Sequence, residues 1–317
     1  MEVTVDTIYF VVPCYNEEEV VRETSARLLV KMNQLISAGL AGAGSRILFV
    51  DDGSKDATWS IIEELSNQET AISGLKLSRN RGHQNALLAG LMTANEFADA
   101  TISIDADLQD DVDSIDLFVK EYYAGFDIVY GVRSARKKDT RFKRLTAQGF
   151  YKIMRFMGAE VVYNHADYRL MSRRAVEALA SFHETNLFLR GLVPMLGFPS
   201  TTVAYERKER FAGESKYPFR KMLGFAVEGL LSFSVSPIKM ITSLGFIVFA
   251  VSIGMLIFFL YSYSTGKAVE GWTTIVISTW AIGGLQLLAI GVIGEYVGKI
   301  YLETKSRPKY IIEKFIK

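Results

Sequence analysis

Cysteine, histidine and net charge are scarce in this sequence. One cysteine among 317 residues, Cys14, excludes an intramolecular disulfide. Three histidines, His83, His165 and His183, make no H-E-x-x-H pattern, so a zinc site of that type is excluded. Lys and Arg number 36 against 35 Asp and Glu. A general nucleic-acid binder shows a basic excess, so no nucleic-acid partner is expected. There is no G-x-x-x-x-G-K-[ST] run and hence no P-loop. No G-x-G-x-x-G follows the first hydrophobic strand, which argues against a dehydrogenase. Internal repeats and low-complexity tracts are absent too. The chain opens Met-Glu-Val without a basic region, so no signal peptide is expected. With 49% apolar and 22% charged residues, the composition is not that of a disordered chain.

Charge is also missing locally. Residues Met240 to Gly266 carry no charged side chain over 27 positions, and Gly271 to Gly294 none over 24. A helix of about 20 apolar residues crosses the hydrocarbon core of a bilayer. The two runs are therefore expected to form a transmembrane hairpin. Arg207, Lys208, Arg210, Lys216, Arg220 and Lys221 precede it. Lys299, Lys305, Arg307, Lys309, Lys314 and Lys317 follow it, whereas the link holds only Lys267. Lys and Arg favour the cytoplasmic side, so both ends of the chain are expected there.

Between Pro218 and Ser234, Phe219, Met222, Leu223, Ala226, Leu230 and Phe233 fall at helical spacing, opposite Arg220, Lys221 and Glu228. This fits a helix in the membrane interface. An ordinary surface helix fits the pattern equally well, and the adjoining span favours the interface. The expected layout is a cytoplasmic domain over 1–217 and an interfacial helix over 218–237. Two transmembrane helices over 238–297 and a basic cytoplasmic tail over 298–317 complete it, in the plasma (inner) membrane.

The N-terminal part alternates strand and helix. Strands are expected over Thr7–Val12, Arg46–Val50, Gly74–Leu77, Thr101–Ile104 and Asp127–Tyr130. Helices are expected from about Glu17 to Ser37, from about Asp56, over Gln84–Asn95 and over Val112–Ala124. This is an α/β fold with a mostly parallel sheet covered on both faces. Such sheets bind ligands at the carboxyl ends of their strands. The polar clusters fall there: Asn16 and Glu17, Asp51-Asp52-Gly53-Ser54, Arg79-Asn80, Asp105-Ala106-Asp107 and Arg133 follow the five strands in turn. Alternate residues of an extended segment point the same way. Asp105, Asp107 and Gln109 can thus present three oxygens to one hard cation, although D-x-D alone also suits a surface turn. The basic segment Ala135–Arg144 is either a solvated loop or a mobile flap that attracts phosphate.

Three acidic motifs in order carry a resemblance. Pro13-Cys14-Tyr15-Asn16-Glu17-Glu18, Asp51-Asp52-Gly53-Ser54 and Asp105-Ala106-Asp107 resemble those of family 2 glycosyltransferases of GT-A (Rossmann-like) fold. The paired uncharged runs and the tail from Gly294-Glu295-Tyr296 to Arg307-Pro308 look like polyprenyl-phosphate glycosyltransferases. That group includes dolichol-phosphate mannose synthases and bactoprenol glucosyltransferases.

The resemblance implies a nucleotide site at Pro13, Tyr15, Glu17, Val50, Asp52, Asp105 and Ala106. It implies Mg2+ or Mn2+ and a diphosphate at Asp105, Asp107 and Gln109, and an acceptor phosphate near Arg133. Arg210 and Lys216 would close over the diphosphate, and Asp167 would lie near the reacting groups, positioning first and acting as a base second. Asp107, Asp167, Arg210 and Lys216 are the expected catalytic set. Cys14 is expected to pack beside the site and His83 to cap or contact it. Arg81 stands where relatives often carry an aromatic residue.

The implied activity is an inverting transfer of a hexose, glucose or N-acetylglucosamine, from a UDP-sugar to undecaprenyl phosphate at the cytoplasmic membrane face, for cell-envelope glycans. The expected partners are therefore a UDP-sugar, a polyprenyl phosphate and the lipid bilayer. Oligomeric state is open, a homo-oligomer included. The alternatives are a non-catalytic membrane tether that binds nucleotide sugars, or a transferase using another sugar or nucleotide. A processive polysaccharide synthase is disfavoured, since none of Trp59, Trp272 or Trp280 follows an arginine in a Gln-x-x-Arg-Trp motif. A lipid flippase or channel is disfavoured by two runs that contain no charge.

Overall fold

Hydrophobic strand segments alternating with helices build the first half of the sheet in the computed structural model. It describes residues 5–133, 165–184, 187–206 and 272–317, with scattered positions between 241 and 261. Arg210, Lys216, residues 135–144 and the helix expected over 218–237 lie outside the described residues. The chain divides into two compact units: Met1–Lys221 together with Pro308–Lys317, and Met222–Arg307.

The strands are β1 (Ile8–Cys14), β2 (Arg46–Asp51), β3 (Ile72–Leu77), β4 (Ala100–Ser103), β5 (Ile128–Arg133), β6 (His165–Ser172), β7 (Ser200–Tyr205) and β8 (Ile312–Ile316). The helices are α1 (Val21–Ser37), α2 (Thr58–Gln68), α3 (His83–Asn95), α4 (Ile115–Tyr123), α5 (Arg173–Ala180), α6 (Leu189–Met195) and α7 (Trp272–Thr304). One sheet runs in the order β7-β5-β6-β4-β1-β2-β3-β8. β6 is antiparallel to both β4 and β5, and β8 is antiparallel to β3; the other pairings are parallel.

Burial follows the two-residue strand period. Ile8, Phe10 and Val12 join Ile47, Phe49 and Ile102 in a core with Leu28 and Met32 of α1, Ile62 of α2 and Phe118 of α4. Val11 and Val50 point the other way, toward Gly90 of α3. The five strands expected in this region are present, with small shifts. β1 continues to Cys14 because Pro13 and Cys14 keep register with Val50 and Asp51. α1 starts at Val21 and not Glu17, since the Glu17 amide donates to Thr58 Oγ1 at 2.9 Å and a turn follows. The helix expected over Val112–Ala124 begins as a 3-10 turn, Val112–Ser114, before α4.

The last ten residues differ most from expectation. Read as part of a basic tail, they return to the sheet unit, and Ile312–Ile316 form β8 beside β3. Lys76 pairs with Glu313 at 3.0 Å and Lys314 with Glu63 at 2.5 Å. Phe315 stacks on Phe97 with centroids 6.1 Å apart, and Lys317 Nζ lies 3.7 Å from the Phe97 centroid. Exposed lysines on an outer strand also oppose edge-to-edge association.

α7 is 33 residues long and contains Trp272 to Gly294 of the second uncharged run. Among the described residues no helix is long and apolar enough to cross a membrane. Many side chains of α7 and most of residues 240–266 lie outside that description.

The loops after β1, β2 and β3 are laced together. The Asn16 amide donates to Ser54 Oγ at 2.9 Å, and the Lys55 amide to Asn16 Oδ1 at 2.9 Å. Asn16 sits at φ 53°, a left-handed conformation that asparagine tolerates. Asp52 accepts the amides of Arg81 at 2.7 Å and Gly82 at 2.8 Å. Gly53 has φ +67°, and a Cβ there would lie 2.6 to 2.8 Å from the Arg79 and Asn80 backbone. Gly39, at φ +66°, faces open space.

Gly39→Ala should therefore cost only the backbone penalty of about 1–2 kcal/mol. Gly53→Ala should cost clearly more, because the backbone of the next loop must move as well. Urea midpoints of the two variants check this, and equal losses would contradict the loop contact.

Candidate active site

Because β6 runs backwards, its first residues reach the rim where the parallel strands end. The acidic turn after β4 therefore meets Asp167 of β6. Beyond Ser103 the backbone is a turn and not the extended segment expected, with Leu108 at φ 57° and the Gln109 amide donating to Asp107 Oδ1 at 3.1 Å. The in-and-out alternation nevertheless holds. Asp105, Asp107 and Gln109 are half-buried and open to the rim, whereas Ala106, Leu108 and Asp110 are buried. The Ala106 carbonyl lies 2.7 Å from Thr24 Oγ1, which pins the turn to α1.

Asp167 is 5% exposed. Arg169 Nη2 donates to its Oδ1 at 2.7 Å. Arg190, at the start of α6, donates from Nε to Oδ1 at 3.2 Å and from Nη2 to Oδ2 at 3.0 Å. Gln84 Nε2 donates to Oδ2 at 3.2 Å. Burial pushes the Asp167 carboxyl up, but Arg190, His83 and Arg169 together outweigh it. They hold the group well below the usual carboxylate range.

His83, at the start of α3, stands 3.6 Å from both Asp105 Oδ1 and Asp167 Oδ2. Burial alone would lower its pKa; the nearby carboxylates of Asp167 and Asp105 reverse this and raise it to about 9. Asp105 itself is pushed up, first by burial and, despite the relief from His83, by Asp167 and Asp107.

On the far side of the turn, Asp110 is 2% exposed. It accepts from the Tyr205 hydroxyl at 2.5 Å and lies 3.8 Å from Arg133 Nη2. Burial, then the charge of Asp105, raises its carboxyl to about 6.

The structure brings Asp105, Asp107, Gln109, Asp167 and Arg133 to one rim. The residues expected around a nucleotide divide in two. Tyr15 and Glu17 are half-buried beside the same rim. Pro13 is buried within β1 and Val50 is fully buried facing α3. Asp52 binds two loop amides, and the Ala106 side chain is buried. These four build the wall behind the rim. His83 was expected only as a cap or contact, yet it bridges two carboxylates. Arg190, Asp110 and Tyr205 carry no sequence motif that points to them.

Among the described residues no group of three or more His, Cys, Asp or Glu side chains is arranged to hold a metal ion. Mg2+ commonly takes one or two carboxylates, with phosphate and water completing its shell. Asp105 and Asp107 supply two hard oxygens, and a cation would relieve the mutual repulsion that raises Asp105. The residues present therefore fit a divalent cation that a phosphate ligand completes.

A mostly parallel α/β sheet with an acidic turn at its carboxyl rim defines the class. Residues 9–180 match glycosyl transferase family 2, and the chain belongs to that family. It is 54% identical over 303 residues to the glycosyltransferase YkoT of Bacillus subtilis (strain 168), covering 96% of this chain and 90% of that one. It is 39% identical over 315 residues to the SfII prophage-derived bactoprenol glucosyl transferase of Shigella flexneri, covering 97% of each. A solved structure of glucosyl-3-phosphoglycerate synthase from Mycobacterium tuberculosis aligns with TM-score 0.48 and 18% identity, over 72% of this chain and 80% of that one.

The His83 pKa fixes a sign. A group raised from 6.5 to about 9 stabilises the fold fully below 6.5, and that contribution is lost as pH rises through about 9. The stability difference between wild type and His83→Gln should shrink between pH 7 and pH 10 in urea titrations. A difference that stays flat across that window would show that the imidazolium is not held as described.

Proposed function

We propose that the chain transfers glucose or N-acetylglucosamine from a UDP-sugar to undecaprenyl phosphate, with inversion, at the cytoplasmic face of the plasma membrane. The observation that carries this is the 39% identity to bactoprenol glucosyl transferases over 97% of both chains. The match extends beyond the sheet unit and includes both uncharged runs.

The chemistry follows from the rim. A phosphate oxygen of the acceptor attacks the anomeric carbon, and the bond to the UDP diphosphate breaks with its electron pair leaving on UDP. Asp105, Asp107 and Gln109 would hold Mg2+ or Mn2+, which supplies Lewis-acid stabilisation of the negative charge that develops on the diphosphate. Arg210 and Lys216 add cationic charge to the same leaving group. Tyr15 and Glu17 receive the base and ribose, with Pro13, Val50, Asp52 and Ala106 supporting them from behind. Arg133 receives the acceptor phosphate, which a guanidinium can bind through two parallel hydrogen bonds.

A phosphate monoester has its second pKa near 6, so the acceptor is mostly ionised at neutral pH and needs little help from a base. Asp167 suits that demand. A carboxylate held well below its usual range is a poor proton acceptor, and its two oxygens orient Arg190 and His83. Its role is positioning.

The fold also supports a membrane hairpin. The sheet unit ends at Lys221 and resumes at Pro308, and β8 is hydrogen-bonded to β3. Any segment between these points that crosses a bilayer must cross it an even number of times. Two uncharged runs of 27 and 24 residues meet that parity. Large apolar side chains of α7 stand exposed, among them Ile275 at 65% and Ile290 at 64%. Residues 218–237 would lie in the interface, with basic residues drawn to the anionic leaflet by about 1 kcal/mol each. That location suits a polyprenyl acceptor, which cannot leave the bilayer.

Purified protein incubated with labelled UDP-sugars and undecaprenyl phosphate should form a labelled lipid. No turnover with any nucleotide sugar would favour a non-catalytic tether instead. Asp107→Ala should lower turnover by roughly a hundred-fold or more, the scale of losing one electrostatic stabiliser, with the circular dichroism spectrum of a folded protein retained. Full activity in excess chelator would remove the metal from the account. In sealed right-side-out vesicles, added protease should reach only the link near Lys267, and cleavage between Arg207 and Lys216 would reverse the orientation.

A further inference from the structure

Tyr205 ends β7 and is the register partner of Arg133 on β5. Its hydroxyl donates to Asp110 Oδ1 at 2.5 Å and accepts from Arg133 Nε at 3.3 Å. One hydroxyl thus joins an arginine on a strand end to the acidic turn. The ring is fixed from the side. Tyr168 meets it edge-on, with centroids 5.2 Å apart and planes at 85°. The Tyr168 hydroxyl in turn donates to the Asp111 carbonyl at 3.0 Å. Gly131 makes room for this pair, since a Cβ there would lie 3.0 Å from carbons of both rings. The two tyrosines therefore hold the far end of the turn that begins at Asp105.

Asp110 has no evident place in a stability argument. It is 2% exposed, and its Oδ2 has no hydrogen-bond partner among the described residues. A buried charge with incomplete partners is generally less favourable than a well-packed apolar residue of the same volume. Its geometry has a different consequence. Arg133 has a 15% exposed side chain lying between Tyr205 and Asp110, so its guanidinium is aimed by the end of β7 and by a residue at the far end of the acidic turn.

We propose that Tyr205 and Asp110 are positioning residues that fix the spacing between Arg133 and the Asp105–Gln109 turn. In the proposed function, on which this inference rests, Arg133 holds the acceptor phosphate and the turn holds the donor diphosphate. The Tyr205 hydroxyl then sets how far the attacking oxygen stands from the anomeric carbon. Small misplacements of reacting groups cost catalysis heavily.

The test is a set of variants in the full chain, assayed with undecaprenyl phosphate and whichever UDP-sugar wild type turns over. Tyr205→Phe keeps the ring against Tyr168 and removes only the hydroxyl. Asp110→Asn keeps the shape and removes the charge, and it supplies the same readout where Tyr205→Phe fails to fold. Each should raise the KM for undecaprenyl phosphate roughly ten-fold, the scale of one hydrogen bond to a charged group, and lower kcat as well because the attacking oxygen is displaced, while the KM for the UDP-sugar stays at the wild-type value. Adding Tyr205→Phe to Arg133→Lys should raise the acceptor KM little further, because the hydroxyl acts through the guanidinium.

Equal rises in both KM values would mean a merely structural role and would overturn the inference. A lowered melting temperature with both constants unchanged would overturn it too, and so would additive effects in the double variant. If wild type transfers nothing to undecaprenyl phosphate, the proposed function fails and takes this inference with it. Wild-type turnover with an unchanged acceptor KM in both variants defeats the spacing role alone.

Discussion

A carboxylate that is only 5% exposed has to meet cations to remain charged, and Asp167 meets three. Arg169 comes from its own strand, Arg190 from α6 and His83 from α3. Removing one partner of such a buried group typically costs about 3–5 kcal/mol, because the others are left uncompensated. The arrangement therefore ties β6, α3 and α6 to a single geometry. Asp105 is held through the same His83, so the acidic turn is fixed to that geometry as well. The rim is rigid for an electrostatic reason before any ligand arrives.

That rigidity suits the reaction proposed. Transfer to an already ionised phosphate asks little of a base and much of fixed charge. Four carboxylates, Asp105, Asp107, Asp110 and Asp167, share the rim with His83, Arg133, Arg169 and Arg190. With the imidazole protonated the four cations offset these four carboxylates, and Glu17 beside the same rim adds one further carboxylate among the described residues. A divalent cation and a diphosphate can then enter together without leaving a large net charge, and donors that need no rearrangement act most strongly where charge develops. The return of β8 to the sheet complements this from the other end of the chain. It makes residues 222–307 an insertion, so the segment proposed for the bilayer starts and finishes at the same domain.

Much of this was legible in the sequence, and the misses have physical causes. β1 to β5 announce themselves because each is a run of apolar residues between polar clusters. β6 does not, since Asp167 and Arg169 lie inside it and mask its pattern by neutralising one another. β8 is hidden by Glu313 and Lys314, which suit an exposed outer strand and read as tail. Asp105, Asp107 and Gln109 were found by an alternation that survives although the backbone turns there. Asp52 and Val50 came with the family pattern, and the structure adds that Asp52 accepts two amides of the loop at Arg81 while Val50 packs toward α3. His83 and Arg190 gain meaning only through Asp167, 84 and 23 residues away, respectively. No local spacing reports such pairings.

The central claim is that the rim is a metal site completed by a nucleotide diphosphate. Calorimetric titration of the intact protein with Mn2+, without and then with UDP, tests it most directly. Asp105 and Asp107 offer too few ligands to hold the ion firmly alone, so weak binding without UDP and binding at least roughly ten-fold tighter with it is the expected result, a coupling of about 1.4 kcal/mol. Linkage requires UDP affinity to rise by the same factor when Mn2+ is present. Tight Mn2+ binding without UDP, or UDP affinity indifferent to Mn2+, would contradict the account.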